Sequence, residues 1–143
     1  MLPTGFTLSV EDQPAQADRE MLPNLLESFN EQAWPGHQPW QPLGVFVRER
    51  GAVIGGLYGE SYGGWLAIRY VFLPASLRGG GLGRQVMTAA EAAARTRGCH
   101  SVWLDTYSFQ APGFYQKLGF AEFGRIPVPP VGERIFLRKT LHG

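Results

Sequence analysis

Residues 77–84 of this chain read Leu-Arg-Gly-Gly-Gly-Leu-Gly-Arg, and they follow an apolar run at 65–73 that predicts a strand. Glycine allows positive φ and lets a ligand approach the backbone closely. A helix that begins after such a loop turns its unpaired N–H groups and the positive end of its dipole toward it. Arg78 and Arg84 can add charge-assisted hydrogen bonds to phosphate oxygens. The segment therefore predicts a site for a phosphorylated ligand, with an ordinary strand-to-helix connection as the alternative.

Two common phosphate-binding motifs do not fit this loop. A P-loop needs Lys directly after its last glycine, whereas Arg84 follows Gly83. The dinucleotide-binding pattern Gly-x-Gly-x-x-Gly fails in both registers, because its last glycine falls on Arg84 or on Val86. The loop therefore belongs to neither of these classes of nucleotide-binding protein.

Apolar periodicity predicts the elements that position the loop. A helix at 17–33 carries leucines at helical spacing, and Pro23 is expected to kink or split it. The residues at 49–51 are a hairpin turn signal. The strand at 65–73 is apolar on both faces, which is typical of a strand covered on both sides. The remaining predictions are strands at 6–10, 43–48, 52–60, 102–106 and 134–139 and helices at 85–97 and 112–118.

The helix after the glycine loop is expected to lie close to the sheet, because its apolar face is rich in alanine. Gly98 is the expected C-cap that ends it. The residues predicted to share its sheet-facing side are Leu82, Val86, Ala89, Ala90 and Ala93.

The loop matches the pattern Arg/Gln-x-x-Gly-x-Gly/Ala at Arg78, Gly81 and Gly83, and so resembles the acetyl-CoA pyrophosphate loop of the GNAT superfamily of N-acetyltransferases. A second segment resembles the strand, helix and Tyr-x-x-x-Gly-Phe ending of the same family. Two further segments resemble the family's central hairpin strand and its last strand. The second segment comprises 102–106, Ala111, Tyr115, Gly119 and Phe120, and the other two are 53–57 and 134–139.

The resemblance covers roughly residues 44–141 and implies the architecture. We expect an α/β (α+β) GNAT-like fold with a mixed central sheet of about six to seven strands flanked by about four helices. Neither a linker nor an internal repeat is visible, so residues 1–143 are expected to form a single domain.

The resemblance also implies which residues contact acetyl-CoA as the cosubstrate. Main-chain groups at 71–73 would face the pantetheine arm, and one of these N–H groups would face the oxyanion. Ser108 stands where many members of the family carry Asn, so the amide contact is weakened, and Gln110 is a guess for its replacement. The expected cofactor contacts are Val71, Phe72, Leu73, Arg78, Gly79, Gly80, Gly81, Leu82, Gly83, Arg84, Ser108 and Tyr115.

Acetyl transfer to an amine needs a base, an acid and an oxyanion donor. By resemblance Tyr115 is the general acid, and a phenol with a pKa near 10 does carry a proton at neutral pH. The alternative for Tyr115 is a core tyrosine. Glu60 or Asp105 is a candidate base. The alternative for both residues is a solvated charge at a strand end. A water chain without a single base is a third possibility.

The residues that bind the acceptor are expected in the part of the chain that precedes the family resemblance. The segment 34–40 is dense in rings and prolines, and Trp34, His37 and Trp40 would form an aromatic wall for an amine. The alternative is a hydrophobic plug that closes the core.

Composition excludes several classes of protein. A net charge of +1 with interspersed signs argues against a nucleic-acid partner. No apolar run reaches about 18 residues, which argues against a membrane span, and the start of the chain does not have the pattern of a signal peptide. A lone Cys99 fits a reducing cytoplasm. The three histidines lie far apart in sequence, so no metal is expected.

The predicted function is transfer of an acetyl group from acetyl-CoA to a primary amine of a small molecule, by direct attack in a ternary complex. A peptide or protein acceptor and a non-catalytic acyl-CoA-binding module on the same fold are the alternatives. The identity of the amine, the length of the acyl group and the formation of a homodimer are left open by the sequence.

Overall fold

The computed structural model describes residues 1–142, which form two compact units. The first unit comprises Met1–His37 and contains the helix α1, Gln16–Ala33, as predicted. Pro23 lies inside this helix without splitting it, so that part of the prediction is wrong. A proline inside a helix removes one backbone hydrogen bond, and the helix continues here on both sides of it. No helix among these 142 residues is long and apolar enough to cross a membrane.

The strand predicted at 6–10 is absent. Phe6, Leu8 and Val10 alternate with polar residues, but a strand also requires a neighbouring strand to receive its backbone hydrogen bonds. Every strand that the structure describes lies after residue 40, and none of them pairs with 6–10. Alternation alone was therefore an insufficient signal.

The second unit begins at Gln38 and contains a six-stranded mixed sheet in the order β1-β2-β3-β4-β6-β5. Only β3 and β4 are parallel, and the other neighbours are antiparallel. With three α-helices among the described residues, the predicted mixed α/β class is confirmed. The strands are β1 Gln41–Glu49, β2 Ala52–Tyr62, β3 Trp65–Phe72, β4 Ser101–Tyr107, β5 Ala121–Val128 and β6 Gly132–Thr140, and the helices of this unit are α2 Leu82–Thr96 and α3 Pro112–Lys117.

The β1–β2 hairpin closes at the predicted turn. Arg50 and Gly51 both have positive φ, 50° and 85°. This combination defines the tight turn whose twist matches that of the two flanking strands.

The strand β3 changes character halfway along. Leu66, Ala67 and Ile68 are buried, whereas Arg69 and Tyr70 are exposed. The prediction of a strand covered on both faces therefore holds only for the first half of β3.

The helix α2 packs on the sheet through Val86, Met87, Ala90 and Ala94. Ala89, which was predicted for this face, is exposed, because the buried stripe is rotated toward Met87 and Ala94. The helix ends as predicted at Gly98, whose φ is 81°. The Gly98 N–H donates to the Arg95 carbonyl and the next N–H donates to the Ala94 carbonyl, both at 2.9 Å, which is the Schellman arrangement.

One ion pair ties α2 to β6. The Glu91 side chain is buried, and the Lys139 Nζ donates to both of its carboxylate oxygens at 2.9 and 3.0 Å. A buried carboxylate needs a partner, and Lys139 supplies one to Glu91.

We expect Glu91→Gln to lower the free energy of unfolding by about 1.5–3 kcal/mol, because the change weakens a charge-assisted hydrogen-bonded pair whose carboxylate is buried. Urea unfolding measures the loss. Glu133→Gln is the matched control, since Glu133 pairs with Arg125 at 2.7 Å on the exposed surface, where such pairs contribute little. Equal losses in the two variants would show that the buried pair has no special role.

Candidate active site

The candidate site lies where β3 and β4 separate. The two strands pair from Trp65↔Ser101 to Ile68↔Leu104, and β3 then continues to Phe72 without β4 beside it. The space between them is a cleft of about 890 Å³. It is lined by residues of β3, β4, the glycine loop and the segment that contains α3.

A β-bulge accompanies the separation. Tyr58 of β2 is opposite Tyr70 and Gly59 is opposite Ile68, so Arg69 is an extra residue on β3. The edge of β3 at 69–72 that faces away from β2 has no strand partner among the described residues. Its backbone groups are therefore available to a ligand in the cleft, and Val71, Phe72 and Leu73 all line it.

The glycine loop begins the helix α2 earlier than predicted, at Leu82. Gly79 and Gly81 have φ values of 84° and 86°, and Gly81 is the N-cap residue. These values favour glycine, because a Cβ is strained in this region. The loop thereby presents the first N–H groups of α2, which have no partner within the helix.

The two arginines of the loop both line the cleft. The Arg78 Nε donates to the Leu73 carbonyl at 2.8 Å, which fixes the start of the loop to the end of β3. The Arg84 side chain is in the first turn of α2 and is exposed. Gly79, Gly81 and Gly83 also line the cleft, whereas Gly80 and Leu82 are not among its lining residues.

Tyr115 lies in α3 and lines the cleft. Its ring packs edge-on against Phe114 and Phe120, with centroid distances of 5.2 and 6.0 Å. Its hydroxyl makes no hydrogen bond to any residue within 1–142. Burial raises the pKa of the Tyr115 phenol, so the group keeps its proton at neutral pH.

The structure does not bring Ser108 into the cleft. Its hydroxyl accepts the Glu133 N–H at 3.0 Å, and its own N–H donates to the Glu133 carbonyl at 2.8 Å. Gln110 does line the cleft, and its Oε1 accepts the Tyr107 N–H at 2.8 Å. That bond uses the amide oxygen and leaves the amide NH₂ for a ligand.

The two candidate bases occupy different places. Asp105 lines the cleft, but the Arg134 Nε donates to its carboxylate at 2.6 Å, and this contact raises the pKa of Arg134. Glu60 lies within β2 rather than at its end, does not line the cleft, and accepts a long hydrogen bond of 3.4 Å from the Tyr58 hydroxyl. Burial, followed by the Glu60 charge, raises the pKa of Tyr58.

The predicted acceptor residues fall in both units. His37 is buried in the first unit, where its Nδ1 meets the Trp34 carbonyl at 2.9 Å and its Nε2 meets the Glu27 carboxylate. Burial lowers the pKa of His37, but these two contacts outweigh it and the net shift is upward. Trp40 belongs to the second unit and stacks on Tyr62 with a centroid distance of 4.6 Å.

Comparison with known proteins agrees with this geometry. Residues 7–120 match the family described as the acetyltransferase (GNAT) family. The blasticidin-S acetyltransferase of Streptomyces morookaense is 40% identical over 97 residues, which cover 64% of this chain and 71% of that protein. A crystal structure of a candidate acetyltransferase from Agrobacterium tumefaciens gives a TM-score of 0.87 at 27% identity, covering 95% of this chain and all of that one.

The chain therefore belongs to the GNAT family and is an acyl-CoA-dependent N-acetyltransferase. Proteins of this fold bind acetyl-CoA or CoA. One of them is the PaiA N-acetyltransferase of Thermoplasma acidophilum in complex with coenzyme A. It shares the fold alone, at 16% identity and a TM-score of 0.57 over 82% of this chain and 69% of that one.

We expect the Tyr115 phenol to titrate above its ordinary value of 10, because burial disfavours the phenolate. In protein labelled with ¹³C at tyrosine Cζ, the resonance that disappears in Tyr115→Phe is that of Tyr115. At pH 10 this resonance should report a phenol that is more than half protonated. Titration below pH 10 would contradict the burial of the hydroxyl end of the ring.

Proposed function

We propose that this enzyme transfers the acetyl group of acetyl-CoA to a primary amine of a small molecule. The observation that carries the proposal is the cleft itself, which has the glycine loop and the first turn of α2 in one wall and an unpaired edge of β3 in another. Tyr115 lines the same cleft with its hydroxyl unbonded.

In this proposal the pyrophosphate of acetyl-CoA lies on the loop at 78–84. The first N–H groups of α2 and the guanidinium groups of Arg78 and Arg84 meet its negative charges. The pantetheine arm lies along the free edge of β3 and bonds to the main chain at 71–73. The amide NH₂ of Gln110 replaces the contact that Ser108 does not make.

The acceptor amine attacks the thioester carbonyl directly in a ternary complex. An N–H group of 71–73 stabilises the oxyanion of the tetrahedral intermediate. The C–S bond then breaks, and the Tyr115 hydroxyl gives its proton to the departing thiolate. The attacking amine loses a proton to water or to Asp105, the one carboxylate among the described lining residues. The Asp105 carboxylate already accepts a hydrogen bond from Arg134, so a water chain is the better supported route.

Similarity to the blasticidin-S acetyltransferase supports a small-molecule acceptor for this chain. The exposed ring of Trp40 stacks on the partly buried ring of Tyr62 with a centroid distance of 4.6 Å, and the pair provides an apolar wall for such an acceptor. We further propose that the whole chain forms a single domain and that the enzyme is located in the cytoplasm.

Gly81→Val should abolish the rise in melting temperature that millimolar CoA or acetyl-CoA gives to the wild-type protein. A β-branched residue is strained at φ 86°, and its side chain would occupy the space of the phosphates. Gly124→Val is the matched control, because Gly124 has open space around it and lies outside the positive-φ set. A wild-type protein that shows no shift with CoA would remove the basis of the proposal.

Tyr115→Phe should lower kcat by about 10²-fold while KM for acetyl-CoA changes little, because a proton donor acts mainly in the transition state. The ring contacts with Phe114 and Phe120 do not need the hydroxyl, so the variant should fold. Steady-state kinetics with free-thiol detection measure both constants, and Tyr107→Phe, outside the lining residues, is the control. An unchanged kcat with chemistry rate-limiting would make Tyr115 a packing residue.

A further inference from the structure

The residue added by the β-bulge is an arginine whose side chain the acetyl-transfer mechanism does not use. Arg69 lines the cleft, as Asp105 does. It lies three residues before Phe72, or about 10 Å along the strand from it. The phosphate loop follows Phe72, so Arg69 is on the side of the cleft away from the phosphates.

Two indole rings hold the Arg69 guanidinium. Its Cζ lies 5.8 Å from the ring centroid of Trp40 and 5.3 Å from that of Trp103. Cation–π attraction from both rings favours this position and restricts the long side chain. Neither ring supplies a hydrogen-bond acceptor, because indole is a donor only.

The N–H donors of Arg69 have no protein acceptor. Within residues 1–142 the side chain makes neither a hydrogen bond nor an ion pair. The one carboxylate among the described lining residues, that of Asp105, is already bound to Arg134. A guanidinium has five N–H donors in a planar fork, and the fork matches a carboxylate with two parallel hydrogen bonds.

From this geometry, and resting on the proposed function, we propose that the acceptor is an amine that also carries a carboxylate, and that Arg69 selects it. The carboxylate binds the Arg69 fork between Trp40 and Trp103, and the amine thereby reaches the thioester at the neighbouring residues 71–73. The two indole rings hold the guanidinium in place for this ion pair and contact the carbon skeleton of the acceptor.

The test compares the standard amino acids with the corresponding amino acid amides as acceptors, by kcat/KM and free-thiol detection. The wild-type enzyme should prefer at least one acid to its amide. Arg69→Gln should lower kcat/KM for that acid by about 10- to 100-fold, the value of a hydrogen bond to a charged group, and leave its amide unchanged. Comparing variant with wild type for each acceptor cancels the different pKa values of acid and amide.

Arg138→Gln is the matched control, because Arg138 also lies over a ring, that of Phe123 at 5.6 Å, and does not line the cleft. It should behave like the wild-type enzyme with acids and amides. Arg69→Gln should also keep the wild-type thermal shift with CoA. Equal losses for acid and amide in Arg69→Gln, or a wild-type enzyme that prefers every amide, would overturn the inference.

A binding measurement separates failure of this inference from failure of the proposed reaction. N-acetylglycine should shift the indole N–H resonances of Trp40 and Trp103 in the wild-type protein and leave them in place in Arg69→Gln. N-acetylglycinamide should shift neither. Shifts without any turnover would refute amine acetylation and keep the carboxylate site, whereas wild-type resonances that do not move would refute the carboxylate site.

Discussion

The point at which the parallel strands β3 and β4 stop pairing determines the site in the second unit of this protein. Beyond Ile68 and Leu104 the strands β3 and β4 no longer bond to each other, although each remains bonded to its antiparallel neighbour. Unpaired backbone groups inside a protein cost free energy unless something else bonds to them. Here they face a cleft of about 890 Å³, in which an extended polar ligand would find backbone groups ready to accept and donate hydrogen bonds. The β-bulge lies at the same point of β3, and its extra residue, Arg69, lines the cleft.

Charge in the cleft is distributed along the direction of β3. Arg78 and Arg84 are near the start of α2, Arg69 is at the bulge, and the part of β3 between them contributes apolar side chains and backbone. Asp105 is the acid of the described lining, and Arg134 neutralises it. The cleft is therefore suited to a molecule that is negative at one end and neutral in the middle, and it leaves a second positive position at the bulge.

The sequence predicted most of the fold because its signals were local. Glycines at positive φ, the hairpin turn, the Schellman end of α2 and apolar strand runs are each set by a few adjacent residues. The strand predicted at 6–10 failed because pairing depends on a partner elsewhere in the chain. The position of Pro23 inside α1 shows that the free-energy cost of one proline does not by itself end a helix.

The site was less predictable than the fold, and the reasons are geometric. Alternation along a strand cannot reveal a bulge, so nothing in the residues around Arg69 showed that it would face the cleft between two distant indoles. Ser108 was predicted to contact the cofactor because of its position in a family motif, whereas in the structure its hydroxyl accepts a hydrogen bond from the Glu133 N–H. The burial of Glu91 depends on Lys139, which lies 48 residues further along the chain and which no local signal connects to it. The role of each predicted cofactor and substrate contact stays a prediction.

Gly83 joins three parts that the sequence treats as separate. A Cβ at this position would lie 3.0 Å from the Phe114 ring and 3.5 Å from the Leu73 side chain, so α2, α3 and the segment that follows β3 meet there, and an alanine would require the Phe114 ring to move by a few tenths of an ångström. Phe114 directly precedes Tyr115 in α3. The glycine loop and the helix that carries Tyr115 are thus in direct contact at this point. A side chain added at Gly83 would be transmitted to α3 through Phe114, so the shape of the loop and the position of α3 depend on each other.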